Sequence, residues 1–323
     1  MPRAEAQGHL AMLLFSALVA GSFSLGVMVA NDIDAAALNA LRFGIAGVIV
    51  GALAALSGGI RRAHMQAPWR YIILGGLFAT YFVLMFEGLK TAPAVSAAAV
   101  FTLTPVMAAG FGWLLLRQIT TPRMAFALAI GGTGAVWVIF RADLSSLLAF
   151  DIGRGEEIYF CGCVAHAIYA PMVRRLNRGE PALVFTFGML IAGFALLLAV
   201  GGPALAATPW ATLPTRVWVA LIYLAVFASA ASFVLLQFAT LRLPSAKVMA
   251  YTYLTPSFVI LWEGALGRAA PPMLVLIGIA LTVVALLILL RPEPGLDRHQ
   301  GNGSAAVLGG AEEVPNASRN KQI

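Results

Sequence analysis

Ten stretches of about twenty residues, nearly free of charge and parted by short polar turns, dominate this chain. A bilayer core about 30 Å thick takes about 20 apolar residues as one α-helix, so each stretch is the length of a membrane span. The runs are 9–31, 35–57, 69–89, 93–116, 122–140, 156–173, 181–200, 215–241, 244–266 and 271–290. Five begin with proline, which a first helical turn accepts because its N–H has no partner there. The seventh is read as ending at the Gly201-Gly202-Pro203 turn. The runs are continuous rather than alternating, which excludes a β-barrel. The first is too long for a signal peptide and meets no small-residue cleavage site. The expected fold class is an all-α membrane protein with ten transmembrane helices.

Composition agrees. Of 323 residues, 60% are hydrophobic and 11% charged, against about 25% charged in soluble domains. That balance excludes a cytosolic enzyme, a nucleic-acid binder and a secreted disulfide scaffold. The net charge of +7 comes from Lys and Arg set singly or in pairs between the runs, as in cytoplasmic loops. With the N-terminus inside, fifteen of the 21 fall on the inner side and five outside, and Arg42 lies within the membrane. Both termini are therefore predicted cytoplasmic, in a plasma (inner) membrane. Residues 292–323, rich in Gly, Asn, Glu and Pro, are expected to form a disordered cytoplasmic tail. Cys161 and Cys163 point about 200° apart on a helix, cannot pair, and are read as small buried apolar residues.

Shifting the chain by 151 residues lays Pro93, Ala99, Leu103, Thr104, Pro105 and Leu115 on Pro244, Ala250, Leu254, Thr255, Pro256 and Leu266. The offset spans five helices, an odd number, so the two copies must face opposite ways in the bilayer. Residues 1–149 and 150–291 are thus read as two inverted five-helix repeats, the architecture of secondary transporters. Pro105 and Pro256 lie mid-helix and free the carbonyls of Phe101 and Thr252. Both are read as hinges for alternating access.

Polar residues inside such runs are few and default to function. Arg42 is a candidate for ion coupling or substrate contact; pairing with Asp32 or Asp34, or snorkelling, are the alternatives. Glu87 and Lys90, spaced i, i+3, are expected to pair. Glu263 is the candidate proton-coupled carboxylate. Lys247, Tyr251 and Thr255 share four-residue spacing on helix nine, and Thr104 occupies the other copy. Tyr159, Cys163, His166 and Tyr169 form one stripe on helix six. Ser22 and Phe23 on helix one, Tyr81 on helix three, and Ser232 and Gln237 on helix eight complete the candidate solute contacts. Few charges, many aromatic faces and several hydroxyls suit a small amphipathic metabolite better than an inorganic ion. No HExxH, GxSxG, Walker loop or paired Asp occurs, so no enzyme, cofactor or metal is expected.

Four places resemble the EamA family of the drug/metabolite transporter superfamily. They are Gly21-Ser22-Phe23-Ser24, Ala40-Leu41-Arg42-Phe43, the run from Gly88 through Pro93 to Thr104-Pro105 with its copy ending at Pro256, and Ala165-His166-Ala167-Ile168-Tyr169 followed by Arg174-Arg175. His166 stands where the family usually has Trp. The family commonly closes helices four and nine with Leu-Gly-Glu; here those places read Leu116-Arg117-Gln118 and Leu266-Gly267-Arg268. The resemblance implies a ten-helix basket with helices one, three, four, six, eight and nine around a cavity. It also implies export or exchange of amino acids or similar metabolites without ATP. The expected partners are a small-molecule solute and the lipid bilayer, with no nucleic acid. The alternative is a sensor or scaffold that keeps the fold without transporting.

Overall fold

The computed structural model describes residues 3–149 and 152–290; the tail at 292–323 lies outside them. Every regular element among the described residues is helical. In chain order these are α1 (Arg3–Val29), α2 (Ala35–Leu56), α3 (Trp69–Gly88), α4 (Ala94–Phe101), α5 (Thr104–Leu116), α6 (Pro122–Ile139), α7 (Leu144–Ala149) and α8 (Arg154–Leu176). There follow α9 (Ala182–Ala207), α10 (Thr215–Ala225), α11 (Ser232–Thr240), α12 (Ser245–Ala250), α13 (Thr255–Ala265) and α14 (Met273–Leu290). Asp34 starts α2 by accepting the Ala36 and Ala37 N–H groups at 2.9 Å, and Thr121 starts α6 by accepting from Met124 at 3.2 Å.

Three expected rods are interrupted. The fourth divides into α4 and α5 at Thr102-Leu103. The ninth divides into α12 and α13 around a 3₁₀ turn, Tyr251–Leu254. The eighth carries a π turn, Val226–Ala231, between α10 and α11. The seventh corrects the reading in the other direction, because α9 runs through Gly201, Gly202 and Pro203 to Ala207. Pro203 sits near the last turn and removes one hydrogen bond, whereas unwinding there in lipid would orphan several backbone groups. Gly201 is needed for contact: a Cβ there would fall 2.7 Å from the Ala36 Cβ of α2.

Among the described residues, eight helices are long and apolar enough to cross a bilayer. They are α1, α2, α3, the α4–α5 rod, α6, α9, the α10–α11 rod and α14. α8 is long enough but carries Arg154, Glu156, Glu157, Arg174 and Arg175 near its ends. The rod at 245–265 is broken in its middle. Large apolar side chains such as Leu10, Val48, Phe126, Val219 and Leu261 stand exposed around the bundle, as lipid-facing surface requires.

Packing repeats with the halves exchanged. α3 packs on α8, and α1 packs on α10 and α11. α5 packs on α8, and α1 packs on α13. α4 meets α13, while α12 meets α5. α2 and α9, which correspond under the 151-residue shift, lie along each other. Each of these contacts has its exchanged counterpart, as an isologous pattern would give. α6 and α14 touch through small residues: a Cβ on Gly134 would lie 2.5 Å from the Gly278 carbonyl, and one on Gly278 would lie 2.7 Å from that of Gly134.

Candidate functional site

The two broken rods cross at their breaks. Thr104 Oγ1 of the first meets Thr252 Oγ1 of the second at 3.4 Å. The sequence predicts a proline kink that leaves a carbonyl free in each rod. Each chain path instead breaks and satisfies that carbonyl locally. The Thr104 hydroxyl donates to the Phe101 carbonyl, and the Thr255 N–H donates to the Thr252 carbonyl. Pro105 and Pro256 then sit in the first turn of α5 and α13, where a missing N–H costs nothing.

Beside the crossing lies a buried group of rings. His166 sits 4.6 Å from the Tyr81 ring, 5.1 Å from Phe101 and 5.5 Å from Phe78. Phe78 lies 3.9 Å from Tyr169 and 4.6 Å from Phe233. Phe23 joins through Phe101 at 5.8 Å and Tyr159 at 5.9 Å. Tyr81 Oη and Tyr159 Oη share a hydrogen bond of 3.0 Å. Four expected residues, Phe23, Tyr81, His166 and Tyr169, are thus brought together by α1, α3 and α8. Phe78, Phe82, Phe101 and Phe233 were not anticipated. Phe78 and Phe82, at i, i+4 beside Tyr81, offered a helical stripe that would have found two of them.

Arg42 is wholly buried on α2. Its Nε donates to Ser229 Oγ and its Nη2 to the Ala228 carbonyl at 2.7 Å, both in the π turn. Its guanidinium lies over Phe82, 3.8 Å from the ring centroid. Neither expected alternative holds. Asp32 pairs with Arg216 and Asp34 caps α2, so neither reaches Arg42, and burial excludes snorkelling.

The other candidates divide. Ser22, Ser232, Gln237 and Thr255 are buried, and their side-chain polar atoms find no hydrogen-bond partner among the described residues. Tyr251 stands apart from the rings: its hydroxyl meets His9 Nδ1 at 3.1 Å, and its carbonyl accepts from Ser16 at 2.7 Å. The 3₁₀ turn explains this separation from Thr255, since at three residues per turn a four-residue step no longer keeps one face. Glu263 pairs with Arg268 at 2.8 Å, and Glu87 pairs with Lys90 at 2.7 Å as expected. Cys163 is buried but Cys161 is exposed, which corrects the reading of both as buried.

Two further polar contacts were not legible. Ser96 donates to the buried Glu156 at 2.7 Å, joining α4 to α8. Arg70, buried at the start of α3, donates to Glu180 at 2.7 Å and to the Leu176 carbonyl at 2.7 Å. Burial pushes the Glu180 carboxyl up, but hydrogen bonds from Arg70 and the Arg178 N–H outweigh it and hold the group below its ordinary range. Among the described residues no group of three His, Cys, Asp or Glu side chains is placed to hold a metal ion.

The EamA-like transporter family model matches this chain twice, at residues 6–140 and 154–291. An uncharacterized transporter of Bacillus subtilis (strain 168), YyaM, is 24% identical over 283 residues, covering 86% of this chain and 92% of that protein. A solved crystal structure superposes with a TM-score of 0.67 at 22% identity, covering 89% of this chain and 97% of the other. That likeness speaks to the fold alone. The helical bundle, its exchanged contacts and the double family match lead to one assignment: this chain is a multi-pass membrane protein that belongs to the EamA-like transporter family.

Proposed function

We propose that this transporter works by alternating access, without ATP, as an exporter or exchanger of small organic metabolites such as amino acids. In this reading it has ten spans in two inverted five-helix repeats, residues 1–149 and 150–291. α8 and the broken rod at 245–265 complete the eight more apolar spans. Both termini lie in the cytoplasm and the bilayer is the plasma membrane. Phe23, Tyr81, Thr104, His166, Tyr169, Ser232 and Gln237 line the solute path. Ser22 and Thr255 add hydroxyls beside it, and Tyr251 closes its α1 corner. Pro105 and Pro256 form the hinge.

The observation that carries this reading is the Thr104–Thr252 crossing, 3.4 Å between hydroxyls at the breaks of two corresponding rods. Two interrupted helices meeting at one depth give a bundle of two similar halves a place to pivot. The orphaned hydroxyl and amide atoms near the rings give a small polar solute hydrogen-bonding partners that the protein itself does not use.

The test is counterflow of labelled amino acids and short organic acids in proteoliposomes, without ATP. Exchange of at least one solute, abolished in His166→Ala and retained in Lys90→Ala, supports the proposal. Absence of exchange across the panel, or reporter fusions that place the two termini in different compartments, overturns it.

A further inference from the structure

Among the described residues Arg42 is a buried cation without an anion. Among the described residues no carboxylate lies within ion-pairing distance of it, and the two acids nearest in sequence are engaged elsewhere. A buried charge left uncompensated is strongly unfavourable, and in a membrane it marks a ligand or ion path. The guanidinium carries five N–H donors in a rigid fork. Nε and Nη2 are held by two neutral acceptors of the π turn, and Phe82 covers a face. Nη1 is buried and has no partner among the described residues. The side chain is therefore fixed in orientation with one terminal edge unused.

Its surroundings point the same way. The π turn supplies both neutral acceptors, and π turns inside α-helices recur at functional sites. The Phe82 ring under Arg42 lies 4.5 Å from the Tyr81 ring, and Tyr81 lies 4.6 Å from His166. The guanidinium thus borders the ring group on its α2 side. Ser232, one residue beyond the π turn, has an unpartnered buried hydroxyl. A residue that served only to brace the π turn would need those two neutral acceptors but not a permanent charge.

We infer that the Arg42 guanidinium receives the carboxylate of the transported solute, with the solute's apolar body against the neighbouring rings. The inference rests on the transporter reading above and adds the charge class of the substrate. One free edge of a single cation matches a monoanionic carboxylate, which planar guanidinium geometry favours. No bond is made or broken; the solute's negative charge replaces the missing counterion while it occupies the path.

The experiment is counterflow in proteoliposomes with probes paired by head group: each common amino acid with its amide, and each short carboxylic acid with its amide. Wild-type protein is expected to prefer the acid by about tenfold or more, the scale of one hydrogen bond to a charged group. Arg42→Lys should keep that preference in weakened form, and Arg42→Gln should bring the ratio to about one. The wild-type acid-to-amide ratio needs no variant, so poor folding of Arg42→Gln leaves the test intact. Amides exchanged as fast as acids by wild type would overturn this inference and leave the transporter reading standing. Arg42→Gln lowering both members of each pair equally would assign Arg42 to structure alone and overturn it too. No exchange of any probe would overturn both.

Discussion

Arg70 and Glu180 form a buried ion pair between the two halves of the chain, with Nη2 to Oε1 at 2.7 Å. It joins the start of α3 to the loop before α9. The mirror of this contact under repeat exchange joins the loop before α2 to the start of α10, and there Arg216 grips Asp32 at 2.8 and 2.9 Å. The two pairs join corresponding elements, although their residues do not match under the 151-residue shift, and of the two only the Arg70–Glu180 pair is buried.

Removing the Glu180 charge leaves the Arg70 guanidinium buried and unpaired. Glu180→Gln is expected to destabilise the protein by about 3 kcal/mol. Asp32→Asn should change stability little, because water already screens that exposed pair. Thermal unfolding of both variants in one detergent checks the contrast; equal midpoints would refute it.

The same pair sets a pH dependence. The folded Glu180 carboxyl titrates below its ordinary value of 4.5. Its stabilisation is therefore complete above that value and is lost as pH falls through the lower folded value. The difference in thermal midpoint between wild type and Glu180→Gln should be largest near neutrality and shrink on acidification. A difference that grows toward low pH would contradict the assignment.

Pro105 and Pro256 keep their rods broken. Pro105→Ala and Pro256→Ala lift the block on a continuous helix, in which Phe101 and Thr252 would exchange their present local donors for intrahelical ones with little net change in hydrogen bonding. The expected result is slower counterflow with unchanged or raised thermal stability. Variants that transport at the wild-type rate would remove the hinge role.

The α6–α14 contact depends on the absence of two side chains. Gly134→Val or Gly278→Val must push one helix off the other's backbone, at a cost of about 1–3 kcal/mol. Gly110→Val, with open space around its Cβ position, should cost far less. Monodisperse yield after detergent extraction reads the difference.

Apolar run lengths were enough to place most of the helical stretches and the membrane class, and the 151-residue self-match agrees with the double family match, because apolar length and repeat order are written locally in the chain. The ring stripe on α8 was legible for the same reason: 3.6-residue periodicity puts Tyr159, Cys163, His166 and Tyr169 on one face before anything packs against it. Only the tertiary structure decided that Arg42 turns to Ser229 rather than to Asp32 or Asp34, that Tyr251 leaves the face of Thr255, and that Arg70 finds Glu180. Those choices depend on where a rod breaks and on which helix arrives from the other half. Contacts between residues more than 100 positions apart leave no periodic trace in the sequence; they are fixed when buried polar groups find the acceptors that packing brings within reach.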